Sequence, residues 1–255
     1  MKVPPTHTPL PGTRPEGIAS EAAAADAVRR MFAAIVPRYD FLNHLLSFGL
    51  DRRWRRRTAE ALRKRLSRPD ARVIDLCTGT GDLALELAQV TPGRVLGSDF
   101  CQPMLTRAKE KASAGRLRIP VIAADTLALP FADASFDAAA AAFGFRNLAN
   151  YRRGLEEIRR ILKPGGVVAI LEFALPERGL FRPLYRVYFR CVLPWVGNWL
   201  AGVEGPYDYL PASVEKFPAC DEFAAWMRAA GFAEVRYRRW TGGAVALHLG
   251  TKPPG

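Results

Sequence analysis

The stretch Val73-Ile-Asp-Leu-Cys-Thr-Gly-Thr-Gly-Asp82 decides the fold. Its front is a short apolar run ending near Asp75, which reads as a buried strand, and its back opens the helix-periodic segment Asp82–Gln89. Between them, Gly79 and Gly81 let the backbone turn tightly against a ligand. In an open α/β sheet, the crevice at such a strand-to-helix turn is where ligands bind. The plain alternative is a glycine turn with no ligand.

Outward from this turn, short apolar runs alternate with helical ones. Strands are expected at Arg72–Leu76, Arg94–Ser98, Pro120–Ala124, Phe136–Phe143 and Val167–Glu172. Helices are expected at Asp82–Gln89, Pro103–Ser113 and Arg152–Leu162. Strands and helices in this alternation imply βαβ units and a mainly parallel sheet. Glu234–Trp240 and Ala244–Thr251, joined across Gly242-Gly243, suggest an antiparallel pair closing it, after a helix at Asp221–Ala230. Before the core, residues 20–66 read as helical: Val28, Met31, Phe32 and Ile35 recur at helix spacing, Pro37 is expected to end that piece, and pieces at Tyr39–Leu46 and Asp51–Leu66 follow.

The 255 residues suit one α/β domain with additions, and 49% apolar with 24% charged residues excludes wholesale disorder. A formal charge of +12 draws a protein toward polyanions, either nucleic acid or an anionic membrane face. Arg52, Arg53, Arg55, Arg56 and Arg57 read by default as a solvated helix face, with attraction to anionic lipid as the next reading. No nucleic-acid-reading motif accompanies them. Cys77, Cys101, Cys191 and Cys220 lack metal-ligand spacing, so no metal site is expected and a reducing cytoplasm is the easier setting. Residues 1–19 read as a flexible Pro-rich tail without a secretory signal. The apolar stretch Leu184–Val203 is broken by Arg186, Arg190, Pro194 and Asn198, so it suits lying on a membrane better than crossing one.

Two nucleotide readings fit the glycine turn. Gly79-Thr-Gly81-Asp-Leu-Ala84 matches the dinucleotide fingerprint, and Asp99, at the next strand end, could accept from ribose hydroxyls of NAD or of S-adenosylmethionine. Asp75 favours the latter, because a carboxylate there meets a cofactor's ammonium group, and Asp125 is placed to accept from an adenine amino group.

Taken with the segments around them, these residues resemble a class I S-adenosylmethionine-dependent methyltransferase, and more closely the ubiquinone/menaquinone biosynthesis C-methyltransferase family. The resemblance spans about residues 28–252 and is carried by Tyr39-Asp-Phe-Leu-Asn43, Ser47-Phe-Gly49, Asp75–Asp82, Leu129-Pro-Phe131, Phe143-Gly-Phe-Arg-Asn147, Leu162-Lys-Pro-Gly-Gly166, Tyr207-Asp-Tyr-Leu210 and Val245-Ala-Leu-His248. Asp51, Leu127 and Ala142 depart from residues common in the family, which puts finer cofactor contacts and the quinone branch in question.

The resemblance implies a Rossmann-like, mostly parallel sheet with an antiparallel last strand, an N-terminal helical lid at residues 20–66 and an inserted helical cover at 175–214. The cofactor-binding core would span 72–174, and 215–252 would hold the last helix and strand pair. It implies C-methylation of a prenylated demethylquinol, most simply demethylmenaquinol, from S-adenosylmethionine bound by Asp75, Gly79, Thr80, Gly81, Asp99, Asp125 and Thr126. Ring methylation needs an ionised phenol, so Arg146 and Asn147 at the ligand edge, Tyr39 on the lid and His248 are the catalytic candidates. A lone His on an apolar strand, such as His248, is more often a core residue, and Arg146 could simply pair with an acid. A prenylated quinol is the expected partner, with peripheral contact to anionic membrane on its inner face, a homodimer left open, and no nucleic acid. A methyltransferase acting on another lipid-like or small acceptor, an NAD-binding oxidoreductase and a non-catalytic membrane-docking protein remain as alternatives.

Overall fold

The computed structural model describes residues 12, 20–176, 183, 187–188 and 206–254. The tail at 1–19, save residue 12, and most of the 175–214 segment, with Cys191 in it, lie outside the described residues.

Seven strands form one sheet: β1 Arg72–Leu76, β2 Arg94–Asp99, β3 Val121–Ala123, β4 Phe136–Ala142, β5 Leu162–Phe173, β6 Ala233–Trp240 and β7 Val245–Thr251. Their order is β3-β2-β1-β4-β5-β7-β6. The first five pair in parallel, while β7 pairs antiparallel with both β5 and β6. The helices are α1 Glu21–Leu46, α2 Leu50–Leu62, α3 Asp82–Val90, α4 Gln102–Ala114, α5 Tyr151–Ile161, α6 Pro206–Lys216 and α7 Cys220–Ala229.

Strand periodicity builds a core on both faces of the sheet. Ile74, Leu76, Ala139, Ala141, Val168 and Ile170 pack with Leu155, Ile158, Phe223 and Met227. The alternate residues Val73, Ala138, Ala140, Ala169 and Leu171 pack with Trp54, Leu62, Leu83 and Leu87. The alanine run of β4, buried throughout Ala138–Ala141, leaves room for side chains of both flanking layers.

Two local expectations are corrected. Pro37 does not end the first helix but lies within α1. A proline removes one donor from a 26-residue helix, and Ile35 and Leu42, buried on either side, hold both halves in place. The fifth strand begins earlier than Val167, at Leu162, because Phe136 pairs with Leu162 and the Gly165 and Lys252 backbones bond across the Lys-Pro-Gly-Gly turn.

The strand order reverses between β1 and β4, each with its next strand on the opposite side. The crevice beyond their carboxyl ends is the ligand position of such sheets. Here it is formed by Cys77–Thr80 after β1 and Phe143–Asn147 after β4.

Candidate active site

The cleft at this switch point has a volume of about 900 Å³, counting its open mouth. On its floor Asp75 is 1% exposed; its Oδ2 accepts from the Thr78 hydroxyl at 2.5 Å, and its Oδ1 has no hydrogen-bond partner among the described residues. Burial pushes this carboxyl up to about 7. A buried orphan acceptor in a cleft is the mark of a site that receives a donor from a ligand. Gly79, at φ +54°, presents its Cα to open space, with no atom within 4 Å of where a Cβ would stand. Gly81, at φ +86°, meets the opposite constraint: a Cβ would lie 3.1 Å from that of Ala108. One glycine opens the cleft and the other lets α3 approach α4.

Asp99 ends β2 with both oxygens engaged, Oδ2 accepting from the Gly79 amide at 2.8 Å and Oδ1 from the Cys101 amide at 2.9 Å. The carboxylate thereby fixes the shape of the glycine loop while lining the cleft, and burial raises its pKa. Asp125 turns the chain after β3 by accepting from the Leu127 amide at 2.8 Å, and the Thr126 hydroxyl lies 3.5 Å from Cys77 Sγ. Both also line the cleft.

A second cavity of about 610 Å³ adjoins the first. Phe32, Tyr39, Arg55 and Phe143 line both. Arg146, 5% exposed, lies at the second cavity on the turn that follows β4. Its Nη1 donates to Glu172 Oε1 at 2.7 Å and to the Phe143 carbonyl, its Nε donates to Ser213 Oγ at 3.3 Å, and its own amide donates to Glu172. Such a buried ion pair holds the guanidinium charged and in one orientation. Neighbouring Asn147 faces the first cleft, and its Oδ1 accepts from the Tyr209 hydroxyl at 3.1 Å. Burial raises the Tyr39 hydroxyl pKa, while the guanidinium charges of Arg55 and Arg146 both act to lower it.

Arg55 was missed as an individual residue, because five arginines in six positions read as one charged face. The helix separates them. Arg52, Arg53, Arg56 and Arg57 are exposed, whereas Arg55 is 7% exposed and points inward with Asp51 and Thr58, neighbours at helix spacing. Arg55 bonds Asp51, lies 3.6 Å from Asp82, and stands 5.4 Å from the Phe143 ring. The Phe143 ring lies 4.6 Å from that of Phe173, tilted by 38°, and Phe173 in turn faces Arg146 at 5.3 Å. Cations therefore flank both ends of an aromatic pair on the second cavity's wall.

Helix α1 is tied to the glycine loop by charge. Asp40 accepts from Thr80 and, at 2.9 Å, from Lys111 Nζ, which also bonds Thr80 at 3.1 Å and pairs with Asp82. His44, Asp51 and Asp82 bring three ligand-type atoms within 4.8 Å of one another. Arg55 and Lys111 already pair with the two carboxylates, so the cationic positions there belong to side chains.

The predicted residues Asp75, Gly79, Thr80, Asp99, Asp125, Thr126, Asn147 and Tyr39 thus share one cleft, Gly81 shapes its loop, and Arg146 and Tyr39 meet in the adjoining cavity. The expectation for His248 is corrected. It lines neither cavity: it is 2% exposed on β7, between Ile170 and Tyr237, with Nε2 3.1 Å from the Cys220 carbonyl and its ring edge-on to Phe223. Burial depresses its pKa to about 4, so the imidazole is neutral at physiological pH, as a core histidine must be.

The model of the ubiE/COQ5 methyltransferase family matches residues 20–252. The chain is 51% identical over 224 residues to the demethylmenaquinone methyltransferase of Thermus thermophilus, covering 88% of this chain and 100% of that protein. It is 43% identical over 233 residues to the ubiquinone/menaquinone biosynthesis C-methyltransferase UbiE of Geobacter sulfurreducens, covering 89% of each. Among solved structures, a SAM-dependent methyltransferase from Aquifex aeolicus superposes with a TM-score of 0.55 at 21% identity, over 76% of this chain and 89% of that one. That last likeness speaks for the fold alone, the class I methyltransferase fold.

Proposed function

This chain belongs to the ubiE/COQ5 methyltransferase family, and from that premise we propose how its site is used: the larger cleft holds S-adenosylmethionine and the adjoining cavity holds the ring of a prenylated demethylquinol, demethylmenaquinol. The protein is an S-adenosylmethionine-dependent C-methyltransferase of menaquinone or ubiquinone biosynthesis. The observation that carries the site reading is the junction of the two cavities, whose common walls are Phe32, Tyr39, Arg55 and Phe143. A donor and an acceptor held on either side of one junction meet without diffusing through water.

The residues fit the cofactor. Asp75 offers an unpaired acceptor to an ammonium group, the backbone at Gly79 lies open, and Asp99 and Asp125 supply further acceptors along the same cleft. Bound there, S-adenosylmethionine supplies a methyl group activated by its sulfonium. The chain's task is to align the acceptor, exclude water and favour the ionised phenol, whose unperturbed pKa is about 10. Arg146 acts as a fixed cation and is no base, since the Glu172 carboxylate beside it holds its proton against the desolvation of burial. Tyr39, on the lid wall, is a hydrogen-bond partner for a quinol oxygen. In this reading residues 20–66 form the lid and 175–214 the cover.

The test is turnover with S-adenosylmethionine and short-chain demethylmenaquinol or demethylubiquinol, followed by mass spectrometry of the ring product. A C-methylated naphthoquinol is the expected product. Methylation on oxygen, or of neither quinol, refutes the reading. Contact with an anionic membrane belongs to the same proposal, because the acceptor's prenyl tail resides in lipid. Among the described residues no helix is long and apolar enough to cross a membrane.

A further inference from the structure

On the reading that the acceptor carries a prenyl tail, we propose that the outer face of the lid, Phe41, Leu45 and Phe48 with the neighbouring Arg52 and Arg53, is the surface by which this enzyme docks on an anionic lipid bilayer. Residues 41, 45 and 48 follow one another at steps of four and three and so form one stripe of α1 and its closing turn. Phe41 is 61% exposed, Leu45 45% and Phe48 80%. The opposite side of α1 carries Phe32, Tyr39 and Asn43 toward the second cavity. One helix therefore has an apolar face to the acceptor and an apolar face to solvent.

Single exposed apolar residues need no explanation, but a cluster does. Among the described residues five large hydrophobic side chains are exposed, and three of them make this stripe. A fourth, Val187, precedes Tyr188, whose ring meets that of Phe48 at 5.9 Å and whose hydroxyl donates to the Leu46 carbonyl at 2.6 Å. Phe48 also sits at φ +52°, a backbone region that L side chains adopt at a cost. The turn accepts that cost and holds an aromatic ring out in water.

Charge selects the occupant. The acids of this stretch turn inward, Asp40 to Lys111 and Asp51 to Arg55. Arg52 and Arg53 remain on the surface, without an ion pair to any described residue. An apolar stripe edged by cations and stripped of outward acids matches an interface of acyl chains beneath anionic headgroups. A second copy of this chain would set these arginines against their own image.

The experiment is co-sedimentation of the full chain with vesicles of phosphatidylcholine alone or mixed with phosphatidylglycerol. The wild-type protein is expected to bind the anionic vesicles, more weakly as salt rises. The Phe41→Ser/Leu45→Ser/Phe48→Ser variant is expected to bind at least ~100-fold less tightly. Arg52→Glu/Arg53→Glu should remove the salt-sensitive part. Phe48→Trp gives a direct readout: brominated acyl chains should quench its fluorescence. Turnover of a soluble, prenyl-truncated quinol should stay unchanged in the triple variant, while turnover of a long-chain quinol in vesicles falls. Wild-type binding by the triple variant, or no quenching of Phe48→Trp, overturns the proposal. So does a dimer that the triple variant breaks in ultracentrifugation, which would assign the face to a second copy. Failure of the wild type on the soluble quinol strikes the functional reading instead, and the vesicle experiment still reads the docking face.

Discussion

Asp75 is the residue whose environment makes the sharpest claim. Its carboxyl is held at about 7 by burial, against an ordinary 3.8. A bound ammonium group needs the charged form, so cofactor binding must expel the proton below that pH. Affinity for S-adenosylmethionine should therefore rise with pH up to about 7 and level off above it. Calorimetry at pH 6 in buffers of different ionisation enthalpy should report a proton released on binding, and Asp75→Asn should abolish the release. Pairing of the ammonium elsewhere would leave both titrations flat. At the other cavity, Arg146→Lys keeps the charge but loses the planar fork that reaches Glu172, Ser213 and the Phe143 carbonyl together. We expect kcat to fall by ~10²-fold with cofactor affinity near normal. Arg146→Ala is a poorer probe, because stranding a buried partner such as Glu172 costs about 3–5 kcal/mol of stability. Equal loss of kcat and cofactor binding would place Arg146 in the cofactor site.

At the scale of elements, α1 is held over the glycine loop by few apolar residues and a charged latch. Its buried set is only Ala24, Val28, Ile35 and Leu42, whereas Lys111 joins Asp40 of α1 to Thr80 of the loop and Asp82 at the start of α3. Hydrogen bonds to charged groups in such half-buried settings are worth about 1.5–3 kcal/mol. Lys111→Met should thus loosen α1 without unfolding the sheet. Hydrogen exchange is expected to speed up across residues 36–46 and to stay unchanged in β4 and β5. Affinity for S-adenosylmethionine should drop roughly tenfold, about 1.4 kcal/mol. Uniformly faster exchange through the sheet would mean that Lys111 supports the whole fold and not the lid.

For the whole molecule, two buried groups bend stability with pH in opposite directions. The folded pKa of Asp75 is raised, so its favourable share is complete below 3.8 and is lost as pH climbs through about 7. The folded pKa of His248 is depressed, so the unfolded chain takes up the proton first and stability is lost as pH falls from 6.5 toward 4. His248→Phe should flatten the acid limb of a denaturation series between those pH values and leave turnover intact. A collapse of turnover in a folded His248→Phe would restore it to the site. Ligand linkage supplies a further check. At a hundred times its dissociation constant, S-adenosylmethionine should stabilise the chain by about 2.7 kcal/mol, raising Tm by about 5–10 °C. NAD should do nothing, and a shift with NAD alone would favour the dinucleotide reading.

What the sequence determined by itself is local and periodic. Strand β1, its glycine turn and α3 were legible because alternation, helix spacing and glycine are properties of neighbours along the chain. The closing antiparallel pair was legible through Gly242-Gly243, and the acids Asp75, Asp99 and Asp125 that line the cleft through their place at strand ends. Only the tertiary structure decided which members of a uniform-looking run face which way. Arg55 turns inward because Asp82 of α3 and Phe143 after β4 await it beside its own helix neighbour Asp51, while Arg52 and Arg53, one turn of the same helix, meet water. His248 belongs to the core because α7 lays the Cys220 carbonyl, from 28 positions away in the chain, and the Phe223 ring against it. Pro37 stays inside α1 because packing on both sides outweighs one missing hydrogen bond. Periodicity names a buried face, but the chemistry of that face depends on partners brought from elsewhere in the chain.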